Sequence, residues 1–171
     1  MKHIKTIIPT LTALAVFIFF GFTKQEIPQV EKADTIPTLR TINHNAFKAG
    51  EQLDYRLHYG VISAGTARLE VKALSNKIAG RDVYHIIGSG KSKGAFDWFF
   101  KVRDRYETYL DVDGVFPWVF ARDINEGGYK KQQTYKFAQK KNKVDNGKGE
   151  TFDIPHGVQD MLSAFYYARS I

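Results

Sequence analysis

From residue 52 to residue 61 the chain alternates: Leu53, Tyr55, Leu57, Tyr59 and Val61 take one side, and Asp54, Arg56 and His58 the other. A period of two predicts a half-buried strand. Residues 62–73 repeat the pattern, with Ala67, Leu69, Val71 and Ala73 opposed to Thr66, Arg68, Glu70 and Lys72. The link around Gly60 and Gly65 reads as a bend or bulge. After a polar turn at 75–80, residues 82–88 are rich in Val, Tyr and Ile and form a third predicted strand. Consecutive strands with short links predict an antiparallel meander.

Residues 95–101 are a compact aromatic knot, a short helix or a turn, containing Phe96, Trp98, Phe99 and Phe100. A strand is predicted at 102–112, a hairpin turn at Asp113-Gly114, and two more strands at 115–124 and 129–138 around Gly127-Gly128. The polar run 140–149 reads as turn and loop. Only the end has helical spacing: Asp153 or its neighbour caps, Pro155 suits the first turn, and Val158, Met161, Leu162 and Phe165 make a stripe widened by Ala164 and Ala168. The expected fold is mainly β (α+β), a curved antiparallel sheet or half-barrel with this helix packed on it. No cap follows Ser170, so the natural domain is expected to run on past Ile171.

The N-terminus changes the picture. Lys2, His3 and Lys5 precede an uncharged apolar stretch from Ile7 to Phe22, the composition of a secretory signal, with a small-x-small cleavage site ending at Thr23. The alternative is an uncleaved anchor over residues 4–22. The expected organisation is a signal at 1–23, a flexible tether at 24–45 with Pro28 and Pro37, and one β-rich domain at 46–171. The body then works in the periplasm or another extracytoplasmic space, and the N-terminal segment engages the export machinery or the inner membrane. The chain has 0 cysteines and is 43% hydrophobic, so packing must do the stabilising. A disulfide scaffold, a thiolate metal site and a cysteine nucleophile are excluded.

Candidate chemistry is sparse. His156 and Asp160 are four apart at the predicted helix start, but a metal site needs a third ligand, and helix capping explains Asp160. The acid pairs Asp97 with Asp104 and Asp111 with Asp113 read as salt-bridge partners of Lys101, Arg103 and Arg105. No Gly-x-Ser-x-Gly elbow surrounds Ser63 or Ser89, and Gly88-Ser89-Gly90-Lys91-Ser92 lacks the spacer of a phosphate loop. No catalytic residue, metal or cofactor is expected. The aromatic knot is the better clue: Trp98 and Phe99, with Trp118 beyond the hairpin, are the candidate lining of a ligand pocket. The net charge of +7 suggests anionic partners, but an exported protein without stacking modules is not expected to meet nucleic acid.

Phe47-Lys48-Ala49-Gly50-Glu51-Gln52-Leu53, the run Phe96 to Tyr106, Pro117, Phe120-Ala121-Arg122, Glu126-Gly127-Gly128-Tyr129 and the run Gln159 to Arg169 together resemble an exported bacterial family, domain of unknown function thirty-one-oh-eight. The resemblance implies no assigned chemistry and members that run on past the helix. The implied architecture is similar to periplasmic lipoprotein carriers and related half-barrels. The expected function is that of a non-enzymatic envelope protein that binds an apolar or amphiphilic ligand, with lipid, envelope glycan or protein as partner. The alternatives are a hydrolase or glycan-processing enzyme with a dispersed site, and a structural or interaction module.

Overall fold

The computed structural model of the chain describes residues 38–171. The predicted signal and most of the predicted tether lie outside the described residues. Eight strands form one antiparallel sheet in chain order: β1 (Gln52–Tyr59), β2 (Ile62–Ala73), β3 (Val83–Ser92), β4 (Arg103–Asp111), β5 (Pro117–Glu126), β6 (Tyr129–Ala138), β7 (Lys143–Asp145) and β8 (Thr151–Asp153). The sheet is open, with β1 and β8 as its edges. A short helix α1 (Gly94–Phe99) sits in the β3–β4 link, and α2 (Met161–Ser170) packs on one face. The mainly-β class is as the alternation predicts, and the C-terminal helix as the helical spacing predicts.

Three boundaries differ. β3 runs on through Gly88-Ser89-Gly90 to Ser92 because each of these residues pairs with β2 on one side and most also pair with β4 on the other. Pairing on both sides outweighs the poor strand preference of glycine, and the phosphate-loop reading ends there. The polar run after Lys140 contains the short hairpin β7–β8. The last helix starts at Met161, well after Asp153 and Pro155, because Asp160 caps it: its carboxylate accepts from the Leu162 and Ser163 amides, and the Ser163 hydroxyl accepts from the Asp160 amide. Gly157 at φ +70° breaks the chain beforehand. The later start rotates the buried stripe, so Leu162, Ser163 and Tyr166 face the sheet while Met161 and Phe165 stay exposed.

The helix-facing core is built on Val71, Ile86 and Leu110, and one row, Val71, Ile86, Thr108, Phe120 and Tyr135, runs in direct register across five strands. Thr108 is the one polar member, and its hydroxyl donates to Asp160 at 2.9 Å, tying the cap to the sheet. In the next row the missing side chain of Gly88 leaves a notch for Leu162, whose Cδ2 would lie 3.1 Å from an added Cβ. Phe47, Val115 and Tyr166 close this core. A second cluster, Val83, Phe116 and Trp118, lies on the other face with Leu39 and Ile78 against it. The described part of the stretch read as a tether is fastened down: Arg40 donates to the Gly114 and Val115 carbonyls, and the Ile42 amide to Asp113.

Burial raises the Asp160 carboxyl above its ordinary value despite these hydrogen bonds, and its Oδ2 has no partner. Between the ordinary value and the raised one, the folded state holds a proton that the unfolded chain has released. Stability falls as pH rises from the ordinary carboxylate value through the raised one, and is flat above it. Asp160→Asn keeps a good cap. It should match or exceed the wild type at neutral pH, to within about 1 kcal/mol, and flatten this slope, as urea midpoints between acid and neutral pH will read.

Candidate functional site

An antiparallel meander delivers alternate links to the same end of the sheet. Here the β1–β2 turn, the β3–β4 link with α1, and the β5–β6 turn share one end. Each carries large apolar side chains into solvent. Val61 at the β1–β2 tip is 100% exposed, with Tyr59 76% and Ile62 half exposed beside it. On α1 Trp98 is 90% and Phe99 61% exposed, and Phe100 and Tyr129 are half exposed. Scattered apolar residues are ordinary on a protein surface, but a concentration on three adjoining links is a mark of an interaction site.

This end is built, not frayed. The Lys93 amide donates to Ala64 on β2 at 2.9 Å, and the Gly127 amide to the Lys101 carbonyl at 2.9 Å. The Phe100 ring lies over Gly127, where an added Cβ would come within 2.5 Å of it, so the knot rests on the β5–β6 turn. Gly127 and Gly128, at φ +53° and +93°, make that turn possible. Asp97 anchors α1: it accepts from Arg103 at 2.6 and 3.0 Å and from the Ser92 hydroxyl at 2.6 Å. The Arg103 hydrogen bonds, then Ser92, hold its carboxyl down at about 2. Ser92 in turn accepts from the Val102 amide, which closes the link. Lys93, Lys101 and Lys130, in or beside the same links, are exposed.

Sequence reasoning placed Trp98, Phe99 and Trp118 together, and the structure does not bring all three to one place. Trp98 and Phe99 share the exposed face of α1 at the start of β4. Trp118 stands at the other end, beside the bulge at Tyr109/Leu110, roughly 25–30 Å away along the strand. It is buried at 6% exposure against Phe116, and its indole N–H donates to Asp111. Residues close in sequence across a hairpin separate along the strands, which spacing alone does not reveal.

The acid pairs also resolve differently. Asp97 bridges to Arg103, while Asp111 is fully buried and takes a two-pronged bond from Arg81. Asp104 faces Glu126 across β4 and β5 and accepts from the Asn125 amide; the neighbouring Asp104 carboxyl pushes Glu126 up. His156 is exposed ahead of α2, so it and Asp160 do not share a helix face. Among the described residues no group of three His, Asp or Glu is arranged to hold a metal ion. What sequence reasoning missed is that Tyr59, Val61, Ile62 and Tyr129 lie at the same end of the sheet as the knot. The readable signal was that strand-type apolar residues continued into two turns, where no core could receive them.

The polar face of the sheet carries a trough of about 590 Å³ next to this end, between β1 and β4. Two cross-strand rows form its walls. One reads Arg56, Thr66, Lys91, Arg103, and the other Asp54, Arg68, Ser89, Arg105.

A family model described as "Protein of unknown function (DUF3108)" matches residues 54–171. No curated protein and no solved structure matches. The chain belongs to that family.

Proposed function

We propose that this family member is a non-catalytic protein of the cell envelope, exported by its N-terminal signal, that docks on lipid through the aromatic end of its sheet. The observation that carries the reading is the set of large apolar side chains, led by Val61 and Trp98, held in water by three braced links. Tryptophan, tyrosine and phenylalanine with lysines beside them suit a membrane interface, where the rings sit at headgroup depth and the amines meet anionic headgroups. The tips are too small to span a bilayer, so the contact is peripheral. Trp98 and Phe99 are the principal lipid-contacting residues, and Trp118 takes no part.

Flotation with vesicles tests this. The full domain should rise with vesicles of mixed phosphatidylglycerol and phosphatidylcholine and rise much less with phosphatidylcholine alone. Protein that stays at the bottom with both, or that forms stable dimers whose formation buries Trp98, would point to a protein partner instead.

A further inference from the structure

The geometry points to a second site: the trough on the polar face binds a ligand bearing two or more closely spaced phosphate groups. It rests on charge and register, independently of the lipid reading.

Most charges on the polar face are matched, those of the trough walls included. Asp54 takes a two-pronged bond from Arg68 at 2.6 and 3.2 Å, Glu107 pairs with Arg105 and with His85, and Asp97 pairs with Arg103. Three further cations of the trough are not matched. Arg56, Lys91 and Lys93 have no acidic partner among the described residues, and all three are exposed. Lys91 stands directly opposite Arg103 in the β3–β4 register. Like charges opposite one another destabilise a strand pair. A fold that places acids beside its other arginines leaves an uncompensated positive charge at one spot.

The rows also have the right texture. Thr66 lies between Arg56 and Lys91, and Ser89 between Arg68 and Arg105. These short hydroxyl side chains leave the middle of the trough open and offer hydrogen bonds at its floor, while the long cations form its sides. The strands are about 4.8 Å apart and the two rows about 7 Å apart, so cations facing one another span the separation of neighbouring phosphates on one small molecule. Planar guanidinium groups grip phosphate oxygens in pairs, and the lysine amines add point charges. No covalent step is implied. The phosphates come either from a soluble polyphosphorylated molecule or from a lipid headgroup, because the trough adjoins the aromatic end.

Calorimetric titration with inorganic tripolyphosphate decides the matter. The wild type should bind one equivalent, more weakly as salt rises. Arg56→Ala with Lys91→Ala should weaken binding at least tenfold, while Lys140→Ala with Lys141→Ala, in the other basic cluster, should leave it unchanged. Equal weakening by both pairs, or no saturable binding at low salt, overturns the site. Where tripolyphosphate binds, adding it to vesicle-bound protein separates the sources. Release from the vesicles supports the site with a headgroup in the trough, and retention supports it with a soluble ligand. Since tripolyphosphate binding needs no membrane, failed flotation with intact titration would overturn the lipid reading alone.

Discussion

Asp111→Ala is expected to destabilise the domain by about 3–5 kcal/mol, the range for removing one partner of a buried charge pair. Asp111 is fully buried at the end of β4. Its carboxylate accepts from Arg81 Nε and Nη2 at 2.5 and 2.7 Å, from the Gly114 amide at 2.7 Å and from the Trp118 indole at 3.1 Å. Alanine leaves a guanidinium, a main-chain N–H and an indole N–H without their acceptor. It also releases the β4–β5 hairpin, on which Arg40 fastens the leading segment. Asp111→Asn keeps the shape and part of the acceptor capacity and should lose less. Urea midpoints will rank the variants, and the signal of buried Trp118 should report the loosening in Asp111→Ala first. A midpoint within about 0.5 kcal/mol of wild type, the range of an ordinary surface substitution, would show that this network contributes little.

The second large effect is on binding. The combination Val61→Ser, Trp98→Ser and Phe99→Ser should lower the partition onto anionic vesicles by roughly 100-fold or more, since each side chain stands to lose on the order of 1 kcal/mol or more of apolar burial and 1.4 kcal/mol is tenfold. All three are exposed in the free protein, so the fold should not change. Unchanged urea midpoints with lost flotation would separate a binding role from a structural one. Unchanged flotation would remove these side chains from the contact.

Strand existence was legible where the strands pack on α2: Leu69 and Val71 in β2, Tyr84 and Ile86 in β3, and Tyr106 and Leu110 in β4 keep a period of two. The same alternation misleads in β1. Tyr55, Leu57 and Tyr59 have the pattern of a core face and lie largely in solvent, because α2 is only ten residues long and covers the sheet around Val71, Ile86 and Leu110. Periodicity shows that residues share a face and is silent on whether anything covers it. The aromatic knot stood out for a related reason: consecutive bulky rings cannot all enter one core. Its partners on the other links, and the contact of Asp111 with Arg81 thirty residues away, depend on register, which composition and spacing do not determine. The trough was hidden for the same reason, since Arg56, Lys91 and Arg103 come from three strands and align only in the sheet.

Lipid docking would carry Trp98 into the bilayer surface, and the chain's 2 tryptophans make this readable. Trp118 is buried and gives a constant background, while Trp98 is exposed and responds. The measurement is tryptophan fluorescence of the domain on phosphatidylglycerol-containing vesicles whose phosphatidylcholine carries bromine near the top of the acyl chains. Lipid docking predicts a blue shift, protection from acrylamide and quenching by the brominated lipid, all lost in Trp98→Ser. Emission that stays red, open to acrylamide and unquenched while the protein is mixed with these vesicles would contradict it.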